Sequence, residues 1–189
     1  MTSALPLRGL PPRVALFQWR ARRMARRAGH AWGLEAAAAP SDLAALLRLA
    51  RGRREVVELG TGPAWTAIAL GLADSERRVT SYDPVVHDHR EDYLALVPAR
   101  VRERIRFVAA DGAAGAPDHP GGVEMLFVDS THERAATVAE LRAWEPRLAD
   151  GAVVALHDYG HPDFPGVAEA VRELGLQGEA NGGIFAFVH

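Results

Sequence analysis

The chain has no cysteine among its 189 residues. That excludes a disulfide framework, a zinc–thiolate site and a cysteine nucleophile. Lysine is missing too: all 22 basic side chains, histidine aside, are arginine. A Schiff-base or lysine-base mechanism is therefore ruled out, and beside the abundant alanine the bias reads as codon usage in a GC-rich genome. No apolar run is long enough to span a membrane. The formal net charge of −2 supplies no global basic field, which argues against nucleic acid as a partner. The arginine-rich stretch near the start follows Leu and Phe instead of preceding them, the reverse of a secretory layout. The expected location is the cytoplasm.

What is present centres on Glu55-Val-Val-Glu-Leu-Gly-Thr-Gly-Pro-Ala-Trp-Thr. Val56, Val57 and Leu59 form a short buried strand. Gly60 and Gly62 make a turn whose backbone can touch a ligand. Pro63 suits the first turn of the helix that follows. Strand, glycine turn and helix together make a nucleotide-binding corner. A dinucleotide fingerprint needs a third glycine, and that slot holds Ala64. Glu58, just ahead of the turn, would repel a pyrophosphate but not a cationic amino-acid ligand.

Around this corner the pattern alternates. Helices are expected over 12–28, from a Ser41/Asp42 cap to 51, and over 63–73, 89–97, 133–148 and 165–174. Strands are expected over 55–59, 78–82, 105–110, 124–128 and 152–156, near Gln177, and over 184–188. Apolar strands between amphipathic helices predict an α/β fold, a Rossmann-like three-layer sandwich around a mostly parallel sheet. Asn181-Gly-Gly183 reads as a hairpin turn, so the last strand should run antiparallel. Two parts are expected: an N-terminal extension, 1–40, with a loose Pro-rich start, and one domain over 41–189.

In the extension, Val14, Phe17, Ala21, Met24 and Ala28 form an apolar stripe. Arg13, Arg20, Arg22, Arg23, Arg26 and Arg27 cover the rest of that helix. The stripe can pack on the domain or across a homodimer, leaving a solvated arginine face; an anionic partner is the competing reading. Trp19 and Trp32 fit a core or interface better than a lid.

Five acids, Glu58, Asp83, Asp111, Asp129 and Asp158, fall at or near the carboxyl ends of strands, where open α/β sheets bind ligands. Asp also caps the helix after a strand, so capping competes with function at each one. An acid some twenty residues past the glycine turn, as Asp83 is, can bind ribose hydroxyls.

Glu58-Leu-Gly-Thr-Gly62, Asp83 and Asp111-Gly112 resemble the successive motifs of class I S-adenosylmethionine-dependent methyltransferases. Phe127-Val-Asp-Ser-Thr-His132, Trp144 to Gly151, Ala155-Leu-His-Asp158 and Phe164-Pro-Gly-Val167 are similar to a narrower branch. It holds small bacterial methyltransferases related to macrolide-sugar O-methyltransferases and cephalosporin-pathway methyltransferase-like proteins. The resemblance implies strand order 3-2-1-4-5-7-6. It implies that Glu58, Gly60, Thr61 and Gly62 hold the methionine end of the cofactor, Asp83 the ribose, and Asp111 and Gly112 the adenine, with Asp129 alongside. The resemblance implies magnesium here, on Asp129, His157 and Asp158, with His157 in the place of an acid, and the ring nitrogen of His157 would tilt such a divalent site from magnesium toward manganese, iron or zinc. His157, Asp158 and His132 are the candidate catalytic residues, the histidines as bases that titrate near neutral pH. The expected activity is O-methylation of a small hydroxylated metabolite. The alternatives are a non-catalytic cofactor-binding regulatory domain and an NAD-dependent oxidoreductase.

Overall fold

A computed structural model describes Leu7 and residues 9–189 of the chain. The expectation of a loose start falls mostly outside these residues. The order of elements is α1 Pro12–Ala28, α2 Ala31–Glu35, α3 Pro40–Leu49, β1 Glu55–Leu59, α4 Trp65–Ala73, β2 Arg78–Tyr82, α5 Arg90–Leu94 and α6 Ala99–Arg102. Then come β3 Ile105–Val108, α7 Gly112–Gly115, β4 Val123–Val128, α8 Arg134–Trp144, β5 Leu148–Leu156, α9 Pro165–Glu173, β6 Glu179–Asn181 and β7 Ile184–Val188. The strands form one sheet in the order β3-β2-β1-β4-β5-β7-β6. Strand β7 is antiparallel to both β5 and β6.

Strand alternation explains the two cores. Successive side chains point to opposite faces. On one face Val56, Met125 and Phe127 pack with α1, α3 and α4. On the other, Val57, Leu59, Leu126 and Val128 pack with Leu141 and Trp144 of α8 and Val167 and Val171 of α9. Both faces are covered, as the near-continuous apolar strands require. Among the described residues no helix is long and apolar enough to cross a membrane.

Several element boundaries differ from the sequence reading. The third helix starts at Pro40, and neither Ser41 nor Asp42 caps it. Helix α4 starts at Trp65, two residues beyond Pro63, with Ala64 as N-cap at φ 67°. The expected 89–97 helix shortens to α5, ending at Leu94, and a short helix that the sequence reading did not contain, α6, follows Pro98. Strand β3 ends at Val108, and the loop after it contains α7. Helix α8 stops at Trp144, since Pro146 lacks the N–H to continue it, and a 3₁₀ turn leads into β5. The short strand expected near Gln177 is β6, beginning at Glu179.

In α1 the buried residues are Val14, Phe17, Gln18, Ala21, Arg22 and Ala25, while Ala28 is exposed. Phe17 belongs to the same core as α4, so the helix docks on its own domain. Arg22 is not part of the solvated face. Its guanidinium lies 5.5 Å from the Trp65 ring and donates to Ala38 O at 3.3 Å.

Candidate active site

The ladder continues past the strand ends and sets the site. Gly60 N donates to Tyr82 O at 2.8 Å, Asp129 N to Leu59 O at 2.8 Å, and His157 N to Val128 O at 2.9 Å. Gly60, Asp129 and His157 are thus held in register at the carboxyl edge of three adjacent strands. A cleft of about 760 Å³ opens over this edge.

The glycine turn forms one end of the cleft. Gly60 has φ 94° and Gly62 φ 49°. Gly62 N donates to Asp83 Oδ2 at 3.0 Å and Val85 N to Asp83 Oδ1 at 2.9 Å, fixing that carboxylate in the wall. His87 Nε2 lies 3.4 Å from Asp83, and its ring stacks on Trp32 at 4.2 Å. Trp32 is 48% exposed and stands over Gly62. It therefore lines the mouth of the cleft, where the core or interface reading had not placed it.

Glu58 sits beneath this floor and is fully buried. Its Oε2 accepts from Ser81 Oγ, which also pairs with Thr61 Oγ at 2.6 Å, and its Oε1 has no partner. Burial raises its pKa; the Ser81 bond opposes that, Asp129 and Asp83 add to it, and the value rises to about 8. Glu58 is thus neutral near pH 7. The charge argument built on it is corrected: the carboxyl is a buried polar contact under Thr61, outside the cleft wall.

Asp111 and Gly112 do line the cleft. Asp111 is also the N-cap of α7, accepting from Ala113 N and Ala114 N at 3.0 and 3.2 Å. A Cβ on Gly112 would meet Glu140 Oε1 at 2.7 Å. Glu140 accepts from Ser130 Oγ at 2.8 Å. Burial raises its pKa, the Ser130 bond works against this, and the value reaches about 7.

At the other end Asp129, His132, His157 and Asp158 converge. His132 Nε2 is 3.1 Å from both Asp129 Oδ1 and Asp158 Oδ2. His157 Nδ1 is 2.9 Å from Asp129 Oδ1 and 3.5 Å from Asp158 Oδ2. His132 and Asp158 adopt left-handed backbone, φ 60° and 54°, a strain that non-glycine residues carry mostly at functional sites. Burial lowers the pKa of His157, but the hydrogen bond and charge of Asp129, then Asp158 and Asp42, outweigh it and lift it to about 9. Burial likewise opposes ionisation of Asp129, yet bonds to His132 and His157 hold it down at about 2. A His157 already protonated at neutral pH is a poor base there, contrary to the sequence expectation.

Asp42 was missed as a site residue. Its Oδ2 lies 3.6 Å from His157 Nε2, and Oδ1 accepts from Gly183 N at 3.3 Å. An acid at the start of a helix gave only a capping signal. Glu140 and Ser130, also unforeseen, gave no signal beyond an acid on the apolar side of an amphipathic helix.

A family model described as a methyltransferase domain matches residues 57–159, just over half of the chain. Among curated proteins none matches. Solved structures share the fold at low identity. The apo structure of CalS11, a TDP-rhamnose 3'-O-methyltransferase of calicheamicin biosynthesis, is 17% identical with a TM-score of 0.61, over 78% of this chain and 76% of that one. The O-methyltransferase TomG from Streptomyces achromogenes, in complex with SAM, is 22% identical with a TM-score of 0.59, over 80% and 81%. A putative caffeoyl-CoA O-methyltransferase from Staphylococcus aureus is 11% identical with a TM-score of 0.59, over 78% and 81%.

Proposed function

Since the chain belongs to the methyltransferase-domain family and is an S-adenosylmethionine-dependent methyltransferase, we propose that it methylates a hydroxyl group of a small metabolite. The observation that carries this reading is the convergence of Asp129, His132, His157 and Asp158 in the same cleft as the glycine turn and Asp83. Membership of the family sets aside the oxidoreductase alternative. A cofactor-binding domain without chemistry would have no use for a strained, convergent polar cluster beside the cofactor's reactive end.

The assigned roles follow the cleft. The main chain of Gly60 to Gly62 takes the methionine end, the Asp83 carboxylate accepts from the ribose hydroxyls, and Asp111 and Gly112 border the adenine. The sulfonium carbon is already electrophilic, so the protein has to align a nucleophile and take up its proton. The cluster stands where that hydroxyl would arrive. Its donors suit a divalent cation on Asp129, His157 and Asp158: the Asp129 and Asp158 carboxylates converge on His157 Nδ1, at 2.9 and 3.5 Å. A bound cation supplies Lewis-acid polarisation, lowering the pKa of a coordinated hydroxyl. Trp32 and His87, stacked at 4.2 Å, wall the cofactor end of the cleft.

Calorimetry with S-adenosylmethionine and S-adenosylhomocysteine tests the first step. Both should bind, and Asp83→Ala should weaken binding by roughly 1–3 kcal/mol through the lost acceptor for buried hydroxyls. Absence of heat at millimolar ligand would sink the reading. Methyl-labelled cofactor offered with nucleotide sugars, catechols and simple phenols then finds the acceptor class; label appearing only on nitrogen or carbon acceptors refutes the hydroxyl assignment.

A further inference from the structure

The side chains converging on the sheet edge do not match the ion that the family resemblance implies. Magnesium takes oxygen ligands and keeps much of its water. Here two of the four converging donors are imidazole nitrogens, His132 Nε2 and His157 Nδ1, and two are carboxylate oxygens, Asp129 Oδ1 and Asp158 Oδ2. Mixed nitrogen and oxygen sets of this kind suit manganese, iron, cobalt or zinc.

The spacings agree with that chemistry. Neighbouring donors stand 3.1, 3.1, 2.9 and 3.5 Å apart. Ligands at about 2.0–2.2 Å from one ion lie about 3 Å apart at right angles and about 3.4 Å apart in a tetrahedron. The contacts to Asp129 are direct hydrogen bonds in their own right, and the four spacings are also those of neighbouring donors around one ion. Two of the four residues, His132 and Asp158, have left-handed backbone.

The imidazole of His157 is oriented from behind. Its Nε2 is buried and has no hydrogen-bond partner among the described residues, and the Asp42 carboxylate stands 3.6 Å away. A metal-bound histidine ordinarily directs its other ring nitrogen at such a group. Asp42 is tied in place by Gly183 N.

We propose that Asp129, His132, His157 and Asp158 bind a first-row transition-metal dication in preference to magnesium, with His132 as a fourth ligand and Asp42 as the positioning residue for His157. The proposal rests on the methyl-transfer reading for the purpose of the ion, which is to hold the acceptor hydroxyl.

The test uses the full chain stripped with chelator. Calorimetry with manganese, zinc and magnesium should show the first two binding at least about tenfold more tightly than the third. Cobalt loaded at the site should give the visible absorption of a coordinated ion. Copper loading with pulsed EPR should reveal two imidazole nitrogens, and one in His132→Ala. Asp42→Asn should weaken manganese or zinc about tenfold while leaving both nitrogen couplings. Cofactor binding and the thermal midpoint are recorded for every variant, so that misfolding is recognised separately. Wild type that binds cofactor but takes magnesium as well as manganese overturns the proposal, as does a single nitrogen coupling or no cobalt spectrum at millimolar ion. Wild type that binds these metals but no cofactor overturns the methyltransferase reading instead.

Discussion

Gly60 has no room for a side chain. A Cβ there would stand 1.9 Å from the carbonyl oxygen of Asp129, and φ is 94°. The sequence marked this glycine correctly but for a different reason: it reads as ligand access, whereas the structure needs it for the approach of β4. Gly60→Ala should cost about 3 kcal/mol from the clash and the strained φ, read as a lowered urea midpoint. A variant within about 0.5 kcal/mol of wild type would show that the strand ends are free to move apart. The same scale exposes what a linear sequence hides. Asp42 meets Gly183 across 141 positions, a contact that only the sheet order creates. Asp83 and Asp129 were legible because each directly follows its strand; Asp42 and Glu140 were not, because their roles depend on which face of a helix meets the cleft.

Among the elements, the strands were the most legible. Their apolar runs and the Asn-Gly-Gly turn are local signals, and they sufficed for the antiparallel last strand, whereas the order of the sheet was legible only through the family resemblance. Helix ends were less so: Pro146 breaks an amphipathic pattern that looks continuous, and α5 stops at Leu94, short of the expected end at 97. For α1 the stripe was read nearly in phase, but Arg22 turned inward onto Trp65, a cation–π contact that no periodicity announces. The docking of α1 predicts a contrast on one helix. Phe17 is 2% exposed and Trp19 is 52% exposed. Phe17→Ala should lose roughly 3–5 kcal/mol, while Trp19→Ala should stay within about 0.5 kcal/mol. Equal losses would mean that the outer face of α1 is also covered, by a second subunit or another partner, and sedimentation would then show it.

At the scale of the whole molecule, the two buried glutamates beneath and beside the cleft tie stability to pH. Burial is the main cause at both, and lifts Glu58 to about 8 and Glu140 to about 7. In the unfolded chain a glutamate titrates near about 4.3. Below that value both states are protonated and the native state bears no penalty. Above it the unfolded state releases protons that the native state keeps, so stability falls until pH passes the folded values. Each group contributes a slope of up to about 1.4 kcal/mol per pH unit. Urea midpoints of the metal-free chain should therefore drop steadily between about pH 4.5 and pH 8. Glu58→Gln keeps the shape of the neutral carboxyl without its titrating proton, so it should flatten the decline, most visibly between pH 7 and about 8, where Glu140 has titrated and the remaining slope comes from Glu58 and His157. A variant that falls as steeply as wild type would place the titrating group elsewhere. The direction also matters for the site. A Glu58 that keeps its proton adds no charge beneath the glycine turn, while the Asp129 carboxylate stays ionised within the polar cluster. Ionising Glu58 would set a further charge beneath the glycine turn, against Asp129 and Asp83 and with the Ser81 hydroxyl and Arg90 to favour it, and cofactor affinity should weaken over the same pH interval in wild type but not in Glu58→Gln.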